Sequence, residues 1–289
     1  MEPMLEIKNL TKYYGKTLGV KALSLTLHKG EIFGFIGPNG AGKSTTIRSI
    51  MQLINKTDGE IYIKGTLFNQ DNIELKRIIG YLPSEIHLYD DFTVKEMLDY
   101  HGRFYQNTNN RRKELVSILE LDEEKRIEDL SLGNLKKVGI VLALMHQPEL
   151  LILDEPTSGL DPVIQQKFYH ILLEEKKRGT TILYSTHILN EISKICDRVG
   201  VIKDGTLLNV ETIQEISQKN LTYVTLTSDQ IEDIISDLNL ICLSKTNNTV
   251  QFKNHLSDDQ LIKRLSKYTI DQILIESASL EEILLHYYK

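Results

Sequence analysis

Hydrophobic and polar positions follow two different rhythms along this chain. Leu5-Glu6-Ile7-Lys8 and Leu23-Ser24-Leu25-Thr26-Leu27 alternate, and so does Ile61-Tyr62-Ile63 after the Asp58-Gly59 turn. Alternation predicts half-buried strands of an antiparallel sheet. The segments 32–36, 150–153 and 182–184 are instead unbroken apolar runs. Strands of that kind are covered on both faces, as in a parallel sheet. Helical spacing separates them. A helix is predicted over 162–178: Asp161 can cap it, Pro162 suits its first position, Lys176-Lys177-Arg178 favours its negative end, and Gly179 stops it. From Asp91 to about Met145 the pattern stays helical and opens on a capping box, Thr93-x-x-Glu96. This stretch predicts a helical subdomain, about residues 85–147, inserted between strands of the central sheet.

The α/β unit reads as complete after Val199-Gly200-Val201-Ile202 and the Asp204-Gly205 turn, so a first domain is expected over 1–215. Residues 216–289 carry a second pattern. It runs strand (223–227), helix (230–238), a hairpin (241–245 with 250–253) across Asn247-Asn248, a helix opened by Ser257-x-x-Gln260, and a strand (270–275). A last helix would be capped by Ser279-x-x-Glu282. The β-α-β-β-α-β order predicts a small α+β, ferredoxin-like accessory domain. It contains no chemical motif and reads as a packing or dimerisation module, with ligand sensing as the alternative.

Composition narrows the classes. The 289 residues can bury a full core; 41% are hydrophobic and 26% charged, ordinary for a soluble globular protein. A net charge of -6 argues against a nucleic-acid-binding surface, where phosphate neutralisation dominates. No apolar run reaches the length of a bilayer span, and the first residues hold no hydrophobic signal region. The two cysteines, Cys196 and Cys242, make no metal or disulfide framework and read as small buried hydrophobes in a reducing compartment. A cytoplasmic protein is expected.

The chemistry begins at Gly37-Pro38-Asn39-Gly40-Ala41-Gly42-Lys43-Ser44-Thr45, a complete Gly-x-x-x-x-Gly-Lys-Ser loop. An apolar strand precedes it and helical spacing follows, the context that makes the pattern a phosphate site. Glycines let the backbone curl with its N–H groups inward, and the helix N-terminus adds positive potential. Lys43 supplies a point charge for the outer phosphates and the Ser44 hydroxyl a magnesium ligand. The second feature is Leu150-Leu151-Ile152-Leu153-Asp154-Glu155, an apolar strand ending in paired acids. Neighbouring strand residues point to opposite sides, so the two carboxylates can hold different tasks. Asp154 is assigned to magnesium and Glu155 to polarising the attacking water, with magnesium offsetting their mutual repulsion. A nucleoside triphosphate and Mg2+ are therefore the expected cofactors.

With Asp154-Glu155-Pro156-Thr157-Ser158-Gly159-Leu160-Asp161 in view, the chain resembles the ATP-binding cassette (ABC) ATPases, the motor subunits of ABC transporters. The family segment Leu-Ser-Gly-Gly-Gln corresponds to Leu130-Ser131-Leu132-Gly133-Asn134, in which Ser131 and Gly133 match while Leu132 and Asn134 depart. The resemblance implies a P-loop core with an antiparallel β subdomain. It also implies a head-to-tail pair of cassettes, in which Ser131, Gly133 and the helix starting at Asn134 close over ATP held by a partner's loop. A plain helix cap is the alternative for Ser131. Tyr14 resembles the aromatic that stacks on adenine, Tyr13 is the neighbouring candidate, and core packing is the alternative for either. Residues 158–161 resemble the loop crossing the dimer seam, and His187 the switch histidine near the γ-phosphate. Where the family has Gln after a Gly-Tyr-Leu-Pro-like stretch, this chain has Gly80-Tyr81-Leu82-Pro83-Ser84-Glu85. Ser84 is too short for the amide's reach, which leaves Glu85 or water to fill it. The tail, residues 277–288, resembles the tails of ATPases serving type-2 exporters.

Together these imply an ATP-hydrolysing subunit of an ABC exporter at the cytoplasmic face of the membrane. Its partners would be an integral-membrane permease and a second ABC ATPase subunit, with no nucleic acid. The competing readings are a cytoplasmic ABC ATPase acting on ribosomes or DNA, and a nucleotide kinase or GTPase on the same loop.

Overall fold

A computed structural model describes residues 2–105, 108–218, 222–238, 240, 242–254 and 256–277. The expected last helix cap, Ser279 with Glu282, and the exporter-like tail from residue 278 onward lie outside the described residues. The chain falls into two compact units, Met1–Ile213 and Gln214–Lys289.

The first unit opens with strands β1 (Pro3–Tyr14), β2 (Thr17–His28) and β3 (Ile32–Ile36), followed by helix α1 (Lys43–Ile50). Next come β4 (Asp58–Ile63), β5 (Thr66–Leu67), α2 (Ile73–Arg77) and β6 (Ile79–Leu82). The inserted helices are α3 (Val94–Gly102), α4 (Asn109–Ile118) and α5 (Leu132–Leu144). The unit closes with β7 (Leu150–Asp154), α6 (Pro162–Lys177), β8 (Thr181–Thr186), α7 (Leu189–Ile195), β9 (Arg198–Lys203) and β10 (Thr206–Thr212).

The alternating segments do form an antiparallel sheet, ordered β2-β1-β4-β5. The unbroken apolar runs form the centre of a second sheet, ordered β10-β9-β3-β8-β7-β6. There β9, β3, β8, β7 and β6 run parallel, and all five residues of β3 and of β7 are buried. The two sheets share one core: Leu5, Ile7 and Ile61 meet Phe33, Phe35 and Ile152, with Ile47 and Ile50 of α1 against them. Because α1 leaves the carboxyl end of β3, the loop 37–42 sits at the sheet edge where β7 and β8 also end.

The predicted caps form. Asp161 Oδ1 accepts the Val163 and Ile164 amides at 3.0 Å each, with Pro162 at the first position of α6. Thr93 and Glu96 make the reciprocal capping box of α3. Two features of this unit are absent from the sequence reading. β10 turns back on β9 instead of leaving the fold, and Arg111 of α4 forms a fully buried ion pair with Glu175 of α6 that fastens the inserted helices to the core.

In the second unit, α8 (Ile213–Gln218) leads into β11 (Thr222–Thr227), α9 (Ile231–Leu238), β12 (Cys242–Lys245), β13 (Thr249–Asn254), α10 (Asp258–Leu265) and β14 (Gln272–Ser277). The sheet is antiparallel throughout, ordered β12-β13-β11-β14. Val224, Leu226, Val250 and Phe252 pack on Ile231, Ile234, Leu261 and Leu265.

Candidate functional site

The loop after β3 is shaped by three glycines that act in different ways. Gly40 and Gly42 take φ of +81° and +108°, where a side chain would be strained. Gly37 is needed for space: a Cβ there would stand 2.4 Å from the Ile202 carbonyl oxygen of β9. Gly42 is the N-cap of α1 and provides no capping side chain, and the first turn holds no acid. The first amides of the helix therefore keep their capacity for an anion, and the helix dipole favours one. Pro38, Asn39 and Ala41 complete the loop, and Ser44 and Thr45 follow Lys43 in the first turn of α1.

Lys43 is buried. Its Nζ donates to the Gly37 and Pro38 carbonyls at 2.6 and 3.3 Å and stands 3.3 Å from Glu155 Oε1. The other oxygen of Glu155 lies 2.7 Å from His187 Nδ1. Three residues far apart in sequence thus meet at one carboxylate. Glu155 follows the end of β7 with φ of +49°, and its amide donates to the Ser185 carbonyl at 3.1 Å. The turn aims its side chain back over the phosphate loop.

Asp154 is fully buried beside it. Ser185 Oγ donates to Oδ1 at 2.6 Å, while Oδ2 is buried with no hydrogen-bond partner among the described residues. An orphaned buried carboxylate oxygen is costly, and a cation satisfies it. Asp154 and the Ser44 hydroxyl offer hard oxygen donors of the type Mg2+ takes while keeping water and phosphate in its remaining positions. The residues present therefore fit a magnesium ion. Burial, together with the Asp154 charge, pushes the neighbouring Tyr81 phenol up to about 12.

Ser131 is the N-cap of α5 and its Oγ accepts the Asn134 amide at 3.4 Å, the plainer of its two expected roles. Leu132, at the family's glycine position, is 82% exposed. Gly133 packs tightly on the loop 158–161, where a Cβ would meet the Gly159 carbonyl oxygen at 2.8 Å. Tyr14 and Thr45 flank Gly19: a Cβ on Gly19 would stand 3.0 Å from the Tyr14 ring and 3.1 Å from Thr45 Cγ2. Tyr14 thus lies beside the phosphate loop, whereas the Tyr13 amide is engaged by Thr57 Oγ1 at 2.9 Å.

Glu85 does not take the place of the family's glutamine. Its side chain is 82% exposed and its nearest ionic neighbour is His87 at 3.9 Å. Lys136 of α5 reaches the backbone of this segment. It is buried, and its Nζ donates to the Ser84 and Pro83 carbonyls at 2.9 and 3.3 Å. Burial lowers the Lys136 ammonium from its usual range, and the Asp154 and Glu155 carboxylates partly offset this. α5 approaches closely enough because Gly139 has no side chain to strike Ile86 or Leu82. The sequence held only a weak signal, a Lys136-Lys137 pair ahead of the apolar part of the helix.

The chain is also similar to known proteins. The family model described as ABC transporter matches residues 20–158. The linearmycin resistance ATP-binding protein of Bacillus subtilis (strain 168) is 38% identical over 223 residues, 75% of this chain and 71% of that protein. The bacitracin transport ATP-binding protein of Bacillus licheniformis is 37% identical over 242 residues, 81% and 78% of the two chains. A dimeric ATP-binding cassette solved in a post-hydrolysis state with ADP and Pi superposes with a TM-score of 0.66 at 27% identity, covering 73% of this chain and 99% of that one. The chain belongs to the ABC transporter family, as an ATP-binding subunit that hydrolyses ATP.

Proposed function

We propose that this chain is the motor subunit of an ABC exporter: two cassettes close on ATP, hydrolysis reopens them, and the motion drives a separate membrane permease. The single observation that carries the reading is the Glu155 carboxylate held between Lys43 and His187 at the end of β7. A carboxylate in that place can orient water and take its proton, while Lys43 and the amides at the start of α1 offset charge on the outer phosphates. Ser44 and Asp154 would hold Mg2+, which supplies electrostatic stabilisation of the phosphate oxygens. Tyr14 is assigned to stacking on adenine. Ser131, Gly133 and Asn134 are assigned to the γ-phosphate of the partner's nucleotide, and the exposed start of α5 suits such a role.

Export, and an antibiotic-like cargo, draw support from the relatives, which are named for linearmycin resistance and bacitracin transport. Among the described residues no helix is long and apolar enough to cross a membrane, which suits a subunit docked on a permease at the cytoplasmic face. We assign residues 1–215 to the nucleotide-binding domain and 216–289 to a ferredoxin-like accessory domain. The strand order β12-β13-β11-β14, with the first and third strands central, supports the second assignment.

The test is Glu155→Gln. Loss of the acceptor predicts turnover lower by roughly 10²–10⁴-fold with ATP binding intact. The variant should also accumulate as an ATP-dependent dimer on gel filtration. Normal turnover would refute the role of Glu155, and a monomer under saturating ATP would refute the closing mechanism.

A further inference from the structure

Glu191, in the first turn of α7, is 3% exposed, yet no cation pairs with it among the described residues. Four hydroxyls satisfy it instead. Thr157 Oγ1 and Tyr169 OH donate to Oε1 at 2.5 and 3.1 Å; Tyr184 OH and Thr186 Oγ1 donate to Oε2 at 3.0 and 2.6 Å. A buried carboxylate is stable only when hydrogen-bonded this fully, and such charge-assisted bonds are the strong ones. Burial and the Glu191 charge push the Tyr169 and Tyr184 phenols well above their ordinary range, so both remain donors.

Two of the four donors flank the site. Thr157 lies just beyond Glu155, and Thr186 immediately precedes His187. Thr186 Oγ1 also accepts the Ile188 amide at 3.0 Å, which fixes the backbone on both sides of His187. Glu155 needs such support. Its φ of +49° is a conformation that strains a non-glycine residue and persists only where the surroundings over-determine it.

We propose that Glu191 is a positioning residue for ATP hydrolysis: by gripping Thr157 and Thr186 it holds Glu155 and His187 in register, 2.7 Å apart. The proposal rests on the reading of Glu155 as the group that acts on water. The four hydrogen bonds of Glu191 go to neither of the two side chains it positions. It acts through the backbone of the two segments that carry them.

A double-mutant cycle on the purified full-length chain tests it, with single-turnover hydrolysis and equilibrium binding of a fluorescent ATP analogue read in parallel. Glu191→Gln keeps the size of the side chain but sets an amide NH2 against two of the hydroxyl donors. Hydrolysis should slow roughly 10–100-fold, the scale of a small misplacement of reacting groups, with analogue affinity unchanged. Added to Glu155→Gln, the same change should cost almost nothing further, because the group it positions is already gone. A merely structural Glu191 would give the same loss factor in both backgrounds, or would weaken analogue binding together with the rate; either result overturns the proposal. Should Glu191→Gln fail to fold, Thr157→Val removes one donor at similar volume and carries the same expectation. Wild-type hydrolysis by Glu155→Gln alone would sink the underlying reading and the proposal with it, and that failure is visible without any change at Glu191.

Discussion

His187 Nδ1 stands 2.7 Å from Glu155 Oε2 while the opposite oxygen of that carboxylate faces Lys43 at 3.3 Å. The imidazole is exposed and the ammonium buried, so the carboxylate joins a solvent-facing group to an enclosed one. His187→Ala should therefore leave nucleotide affinity intact and lower phosphate release by about 10²-fold, the scale of a positioned proton-transfer partner. An unchanged steady-state rate would detach His187 from the chemistry.

Lys43→Ala should act on binding instead. The ammonium lies inside the loop, bonded to the Gly37 and Pro38 carbonyls, within the cradle proposed for the outer phosphates. A hydrogen bond involving a charged group contributes about 1.5–3 kcal/mol, so ATP should bind roughly 10–100-fold more weakly in titration calorimetry. Equal affinity would remove the phosphate contact assigned to this lysine.

Lys136→Met should loosen the segment after β6. It leaves the Pro83 and Ser84 carbonyls without their buried donor, at a cost of about 1–3 kcal/mol. The unfolding free energy in urea should fall by that amount, and amide exchange over residues 84–87 should quicken. Lys136→Arg, which keeps a donor, should recover part of the loss. Unaltered exchange in the methionine variant would mean that the clamp contributes nothing.

Stability should decline in mild acid through His146. Burial pushes its imidazole down to about 4, and Nε2 lies 3.1 Å from the Ile79 carbonyl oxygen. Between pH 6.5 and about 4 the unfolded chain takes up a proton that the folded chain refuses. The unfolded state then binds more protons, so stability falls as pH drops through this window and is constant above it for this group. The His146 share amounts to about 3 kcal/mol across the window. His101, lowered by burial as well, adds in the same direction. Urea titrations of the wild type and His146→Gln at several pH values should differ in slope over that interval; parallel curves would exclude His146 as the source.

Features legible in the sequence were those fixed by neighbours along the chain. The capping boxes of α3 and α10, the cap of α6 and the apolar strand β3 depend on residues a few positions apart, and each formed as expected. The phosphate loop and the acid pair could be recognised for the same reason. β10 could not, because a register shift between Leu207 and Asn209 breaks its alternation. The buried Arg111–Glu175 pair, the Lys136 clamp and the hydroxyls around Glu191 join segments that only the fold brings together. Nothing local distinguishes Glu191 from a solvated helix acid; its role comes from what α7 packs against. Of the two substitutes left open for the glutamine, Glu85 or water, sequence order could not choose; Glu85 is turned to solvent.

One stiff rod, α5, begins at the Ser131 cap and carries Lys136 little more than a turn later, and Lys136 grips the Ser84 carbonyl. A helix hardly stretches along its axis, so neither point can travel without the other. The first turns of α5 thereby tie the capped start of the helix to the segment that follows β6.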